Sequence, residues 1–221
     1  MKIFEKQSWM LLFLITAIYF FYSIVTRYSG FLSGSLWGIR TLQWIQISVL
    51  CSFLHHFLIL ICWRIQLHYS LITKYFGMKG FYVYAFFFFL LLILRTITLF
   101  FLGYANRGSL LINPFLLHSS ALVIMIPVSY TLYSIIKYFG LLRATGIDHF
   151  DPAYRKKPFV KKGMFKYTKN AMYTYGVLLF LIPGLLFASK TALLIGLINY
   201  CWAWIHYFTI ELPDIKKIYT P

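Results

Sequence analysis

Two short motifs in the last third of the chain carry residue types that could bind a ligand. The first runs from Asn170 to Tyr173 and closes a basic segment that begins at Arg143, and the second runs from Glu211 to Asp214. The chain has 5 acidic residues, and two of them lie in this second motif, where an apolar stretch ends. A carboxylate at a membrane edge is costly unless a cation faces it. Together the motifs predict a site for a positively charged ligand.

The composition indicates which kind of scaffold must position these motifs. The chain is 61% hydrophobic and 12% charged, whereas a soluble domain is about half apolar and about a quarter charged. This excess of apolar surface needs a bilayer to cover it. The length of 221 residues allows one helical bundle without a separate soluble domain. We therefore predict an all-α, polytopic bundle that forms a single membrane domain over residues 1–221.

Apolar stretches of about 20 residues mark the membrane spans. Six are predicted, at residues 9–25, 42–63, 81–102, 114–138, 172–188 and 192–210. The first four belong to an N-terminal part, 1–137, and the last two to a ligand-binding part, 138–221. Since only a short linker separates the last two spans, we expect them to form an antiparallel hairpin.

The basic residues predict the orientation of these six spans. Fifteen of them fall on one side of the bundle and four on the other, and cytoplasmic loops are the ones rich in Lys and Arg. Both termini should therefore be cytoplasmic. The net charge of +16 indicates contact with anionic lipid headgroups. Nucleic acid is not an expected partner, because the chain offers no soluble basic face or stacking platform.

Metal binding is not predicted. None of the 6 histidines pairs with another at the spacing of a helical metal site, and the 3 cysteines lie singly in apolar stretches. An arginine deep in the third span, Arg95, is expected either to reach the outer face or to form hydrogen bonds within the bundle.

The order of motifs in the second part resembles a known family. The elements, in order, are Tyr138-Phe139-Gly140, the basic loop, Asn170-x-Met172-Tyr173, the apolar hairpin, Glu211-x-Pro213 and Ile218-Tyr219. This order is similar to the phosphatidylethanolamine N-methyltransferase family, within the wider group of membrane methyltransferases that includes isoprenylcysteine carboxyl methyltransferases. Three positions depart from the family pattern: Ala171 replaces a proline, Leu212 replaces a second glutamate, and Gly176 falls one position later than the family glycine.

The resemblance implies an S-adenosylmethionine-dependent membrane methyltransferase with a phospholipid amine as its first-choice acceptor. The implied cofactor-binding residues are Tyr138, Gly140, Lys169, Asn170, Met172, Tyr173, Tyr207 and Glu211, and the candidate catalytic residues are Glu211, His206 and Tyr173. Glu211 can face the cation of the cofactor, and Tyr173 and Tyr207 can shield its sulfonium. Either His206 or Asp214 could remove a proton from the acceptor, and the sequence does not choose between them.

Other functions fit the same residues. The acceptor could be a prenylcysteine carboxylate or a small hydrophobic thiol or amine. A non-enzymatic membrane protein is the competing class, either a small transporter or a partner subunit in which Glu211 only caps a helix end. A membrane reductase with a nicotinamide cofactor is a third alternative. A transporter would favour paired interruptions in two matching halves, and Pro127 and Pro183-Gly184 do not form such a pair.

Overall fold

A computed structural model describes residues 3–219 of the chain, and these residues form a helical bundle. The long helices are α1 (Gln7–Arg27), α2 (Thr41–Tyr69), α3 (Leu71–Ala105), α4 (Pro114–Ser134) and α9 (Lys190–His206). Strands β1 (Ser35–Leu36) and β2 (Ile39–Arg40) form a small antiparallel hairpin between α1 and α2. The prediction of an all-α polytopic bundle is confirmed.

Shorter elements follow α4 and α9. A π turn, Ile135–Phe139, extends α4, and another, Tyr207–Glu211, joins α9 to α10 (Leu212–Tyr219). The short helices between them are α5 (Leu141–Ala144), α6 (Pro152–Arg155), α7 (Ala171–Thr174) and α8 (Ile182–Leu186). Three 3₁₀ segments complete this region: Ile147–His149, Gly163–Lys166 and Gly176–Leu181.

Five helical stretches within residues 3–219 are long and apolar enough to cross a membrane. Their lipid-facing surfaces carry large exposed apolar side chains; on α1, for example, Trp9 is 63% exposed and Ile18 is 67% exposed. The protein is therefore a membrane protein. Four of the six predicted spans coincide with α1 to α4, and the last coincides with α9 and its π turn.

The fifth predicted span, 172–188, differs from expectation because it is not one continuous helix. The apolar segment Ala171–Leu186 is shorter than a usual span and consists of α7, a 3₁₀ stretch and α8. It packs tightly on α9, where a Cβ on Gly196 would lie 2.2 Å from the carbonyl oxygen of Phe180. A 3₁₀ helix rises about 2.0 Å per residue, which lets so short a segment extend further than an α-helix would.

Hydrogen bonds at the two ends of the bundle show which ends of α1, α3 and α9 lie together. At one end, Asn106 Nδ2 donates to the carbonyl oxygen of Gly30 at 2.8 Å, and its Oδ1 accepts from the backbone of Thr191 at 3.2 Å. At the other end, Gln7 Nε2 donates to the carbonyl oxygen of Thr209 at 3.4 Å. Tyr173 also contacts Glu211 at this second end, which we call the Glu211 end.

Arg95 lies inside the bundle and does not extend to its outer face. It is 3% exposed, its Nε donates to Asn199 Oδ1 at 2.9 Å, and its guanidinium lies 4.2 Å from the ring centre of Phe180. Of the two expected arrangements, the structure has the one with hydrogen bonds inside the bundle.

Candidate active site

The two polar motifs meet at the Glu211 end. The Tyr173 hydroxyl, on α7, donates a hydrogen bond to Oε2 of Glu211, the last residue of the π turn after α9. The hairpin made by 171–186 and α9 places α7 beside this turn, as the short linker predicted. Single π turns often occur at functional sites.

Aromatic rings surround this hydrogen bond. The Tyr207 ring centre lies 5.1 Å from that of Tyr173, and the Trp204 ring centre lies 6.0 Å from Tyr173 and 5.8 Å from Tyr207. We call Tyr173, Trp204, Tyr207 and Glu211 the aromatic-carboxylate cluster. Negatively polarised ring faces beside a carboxylate attract a cation, and a cation site at this cluster stays a prediction.

The remaining residues of the first motif are next to this cluster. Lys169 is exposed, and Asn170 is the N-cap residue of α7, with its carbonyl oxygen accepting from the Thr174 N–H at 2.8 Å. Met172 packs on a small apolar core formed under the basic loop. Ala171 is fully buried in the first position of α7. A proline is tolerated at the first position of a helix, so this backbone would also accept the residue of the family pattern.

Tyr138 and Gly140 lie at the end of α4. The Tyr138 ring centre is 6.0 Å from that of Tyr133, and Gly140 ends the π turn with a φ of 91° and its N–H bonded to Ile135. In the described part of the chain, no hydrogen bond or ring contact joins either residue to Glu211. Their assignment to the cofactor site stays a prediction.

His206 faces away from the cluster. It is 2% exposed, and its Nδ1 lies 3.1 Å from Nδ1 of His56 on α2. Its ring also lies 6.2 Å from that of Trp63. The structure therefore places His206 in the interior between α9 and α2, whereas the aromatic-carboxylate cluster lies on another face of α9.

A buried charge network that the sequence did not indicate lies next to the cluster. Arg64 Nε on α2 is 2.9 Å from Asp214 Oδ1, and His149 Nε2 is 3.3 Å from Asp214 Oδ2. His149 Nδ1 is 3.2 Å from Asp148 Oδ1, and the Tyr219 hydroxyl donates to Asp148 Oδ2 at 2.8 Å. The network ties the basic loop and α10 to α2.

The geometry of His149 favours a charged ring. Its Nδ1 lies 3.1 Å from the carbonyl oxygen of Gly146 and its Nε2 faces Asp214, so both ring nitrogens face acceptors when the carboxylate is ionised. Burial disfavours the imidazolium, but hydrogen bonds to Asp148 and Asp214 outweigh burial and raise the pKa of His149. Burial likewise opposes the charge on Asp148, but hydrogen bonds from His149 and Tyr219 outweigh it and lower the pKa of Asp148.

The only signal of this network in the sequence is the small number of acidic residues, each of which needs a cationic partner if it is buried. In a chain with 5 acidic residues, a carboxylate that is 2% exposed, such as Asp214, must have cationic partners. The sequence does not show which cations these are, since Arg64 and His149 are far from Asp214 along the chain. The structure argues against Asp214 as the base, because both of its carboxylate oxygens already face cationic partners, Arg64 and His149.

Comparison with known proteins locates the family relationship in the half of the chain that contains this site. Residues 116–221 match the family model described as phospholipid methyltransferase. The matched segment begins in α4 and includes Tyr173, His206, Glu211 and Asp214. The resemblance seen in the motifs is therefore confirmed. No curated protein and no solved structure matches the chain.

Proposed function

Since residues 116–221 match the phospholipid methyltransferase family model, we propose that the protein uses S-adenosylmethionine to methylate the amine of a membrane phospholipid. The observation that carries this proposal is the aromatic-carboxylate cluster. It brings the two family motifs together at one end of the bundle, where Tyr173 holds the Glu211 carboxylate against two aromatic rings.

The residues of the cluster suit this cofactor. When bound, S-adenosylmethionine supplies a methyl group that is activated by a positively charged sulfonium. Glu211 provides a negative charge for a cationic group, and Trp204 and Tyr207 provide ring faces, each worth roughly 0.5–2 kcal/mol toward a cation. Lys169 is exposed two residues before α7, where it can face a carboxylate.

Methylation of an ammonium group also requires removal of a proton. Glu211 is proposed for this role because the other two candidates are engaged elsewhere. Both oxygens of Asp214 face Arg64 and His149, and His206 faces His56. Tyr173 fixes one oxygen of Glu211, which leaves the second oxygen for the acceptor.

The basic residues support the location of the site. The loop between the π turn after α4 and α7 carries eight of them, and this loop contacts α10 at the Glu211 end. We propose that this end is cytoplasmic, with both termini on that side, in a bacterial inner membrane or an endoplasmic-reticulum-type membrane.

The test uses purified protein and methyl-labelled S-adenosylmethionine with vesicles that contain phosphatidylethanolamine. We expect label in methylated phosphatidylethanolamine and binding of S-adenosylhomocysteine in calorimetry. A prenylcysteine substrate, tested in parallel, distinguishes the alternative acceptor. Absence of both cofactor binding and methyl transfer in protein of intact fold would refute the proposal and favour the non-enzymatic class.

A further inference from the structure

An aromatic groove lies at the end of the bundle where Asn106 joins α1 to α9, which we call the Asn106 end. Its volume is about 400 Å³, within the range of about 300–1,000 Å³ that is usual for ligand sites. Three parts of the chain line it: the hairpin of β1 and β2, the last two turns of α3 and the segment after α8. The lining residues are Leu36, Trp37, Phe100, Phe101, Tyr104 and Phe187.

Backbone contacts hold the walls of this groove in place. The Gly108 N–H donates to the carbonyl oxygen of Phe187 at 2.9 Å. Gly103 of α3 lets the Phe187 ring approach closely, since a Cβ there would lie 2.8 Å from that ring. The rings of Phe187 and Tyr104 meet edge to face with their centres 5.6 Å apart. A groove that is already formed loses little conformational entropy when a ligand enters it.

One wall of the groove is a tryptophan in an unfavourable backbone conformation. Trp37 and Gly38 are the two central residues of the hairpin turn, with φ of 53° and 75°. Such turns favour Asn-Gly, because a left-handed conformation is costly for a large side chain. The Trp37 ring is nevertheless 71% exposed, and it lies edge-on to Phe101 with the ring centres 5.0 Å apart. Strained residues cluster at ligand sites, and this one presents a large apolar ring to a ligand.

The lining determines the chemistry of the part of the ligand that enters the groove. Four of the six lining side chains carry no polar atom, and Trp37 and Tyr104 each carry a single one. Trp and Tyr are typical of places where one end of the ring is apolar and the other is wet. This lining fits a hydrocarbon chain, and the molecules that bring such chains to the surface of a membrane protein are lipids.

A cation lies at the rim of the groove. The Arg107 guanidinium lies 4.3 Å from the centre of the Tyr104 ring, and its Nη1 donates to the carbonyl oxygen of Tyr104 at 3.2 Å. Arg107 is exposed, and within residues 3–219 no carboxylate forms an ion pair with it. Its other N–H groups suit the oxygens of a phosphate. An anionic group can therefore bind beside the same ring that a hydrocarbon chain contacts.

The distribution of charge between the two ends of the bundle favours a ligand with a net negative charge. All 5 acidic residues of the chain lie at the Glu211 end, namely Glu5, Asp148, Asp151, Glu211 and Asp214. The Asn106 end has basic residues at or next to the ends of its long helices: Arg27, Arg40, Arg107 and Lys190. Since no carboxylate of the chain opposes these residues there, this end attracts anions.

We propose that the aromatic groove binds an anionic phospholipid, with a hydrocarbon chain against Trp37 and the phosphate at Arg107. The groove is separate from the aromatic-carboxylate cluster, because it lies where α3 ends and α9 begins, whereas Glu211 follows the far end of α9. The inference therefore does not depend on methyl transfer.

The test compares two lipids with the same acyl chains. Phosphatidylglycerol has a net negative charge and phosphatidylcholine has none, and neither offers an amine that can be methylated. Native mass spectrometry of the detergent-purified full chain measures the affinity for each lipid. We expect phosphatidylglycerol to bind about 5-fold more tightly, because one basic residue near an anionic headgroup contributes about 1 kcal/mol.

Two arginine variants locate this preference. Arg107→Gln removes the cation at the rim and should abolish most of the preference for phosphatidylglycerol. Arg27→Gln is the matched control and should retain it, because Arg27 is exposed at the same end but belongs to α1, which contributes no residue to the groove. Equal binding of the two lipids by the unaltered protein would overturn the proposal. An equal loss in the two variants would also overturn it, since the attraction would then be spread over the whole end.

Two tryptophan variants test the groove itself. Trp37→Gly removes the ring, and glycine adopts a φ of 53° without strain. Binding of both lipids should weaken about 5- to 10-fold, as expected when a large apolar side chain no longer packs against the hydrocarbon chain. Trp9→Ala is the control, because Trp9 is 63% exposed on α1, away from the groove, and it should leave both affinities unchanged. Unchanged affinities in Trp37→Gly, or an equal loss in Trp9→Ala, would refute a specific lipid site in the groove.

Discussion

Replacement of Glu211 by glutamine separates a binding role of the carboxylate from a structural one. Glu211→Gln keeps the shape of the side chain, and its amide oxygen can still accept the hydrogen bond from Tyr173. The variant therefore loses the charge but keeps the contact between α7 and the π turn. If the carboxylate faces a cationic group of S-adenosylmethionine, the lost charge-assisted interaction is worth about 1.5–3 kcal/mol. Cofactor affinity should then fall roughly 10- to 150-fold.

Calorimetry with S-adenosylhomocysteine and S-adenosylmethionine measures this affinity, and thermal unfolding in detergent measures the stability of the same samples. We expect weaker binding with a melting temperature close to that of the unaltered protein. Tyr173→Phe is the matched variant, because it removes the hydrogen bond and keeps the charge of Glu211. Unchanged affinity of Glu211→Gln together with a lowered melting temperature would show that Glu211 only caps a helix end, and would refute its place in the site.

Three further predictions follow from the described contacts. His149→Gln should remove a pH dependence of stability. Because the pKa of His149 is raised, its imidazolium stabilises the unaltered protein at low pH, and this contribution is lost as the pH rises through that pKa. Melting temperatures measured over a range of pH would detect the difference between the two proteins. Gly146→Ala should destabilise by about 2–4 kcal/mol, since its φ is 78° and a Cβ would lie 2.4 Å from an indole ring of α2. The control Gly140→Ala, with φ 91° and open space around the Cβ, should cost only the backbone strain in the same unfolding assay. Cysteines introduced at Glu5 and Lys216 in a cysteine-free background should be labelled from the same side of the membrane, and labelling from opposite sides would exclude six crossings.

The parts of the fold that depend on local sequence could be predicted. Apolar length is a local property, and it located four helices and the last span, although α3 begins ten residues before its predicted start and α2 ends six residues after its predicted end. The fifth span was predicted as a helix because its composition is as apolar as that of the others. Its short pieces approach α9 closely at Gly184 and Gly196, where a side chain on either glycine would collide with the opposite segment. Such contacts are a property of the packed pair and cannot be read from either stretch alone.

The candidate site, like the fold, could be predicted from the sequence only in part. The pairing of Tyr173 with Glu211 was predicted because each motif ends one arm of a hairpin. The position of His206 was not predicted, because the sequence fixes how far it lies along α9 but not which neighbouring helix its face contacts. Its partner, His56, is 150 positions away on α2.

A residue of the N-terminal half of the chain balances the charge of a buried group in the C-terminal half. The matched segment, 116–221, contains Asp148, His149 and Asp214, which alone carry one negative charge in excess when His149 is protonated. Arg64 of α2 supplies the balancing charge at 2.9 Å from Asp214. Loss of one member of such a buried group costs about 3–5 kcal/mol, because an uncompensated charge remains. Since α10 follows Glu211 directly, the same ion pair holds the end of the π turn against α2. The N-terminal helices, which no family motif marks, therefore help to position the carboxylate on which the proposed chemistry depends.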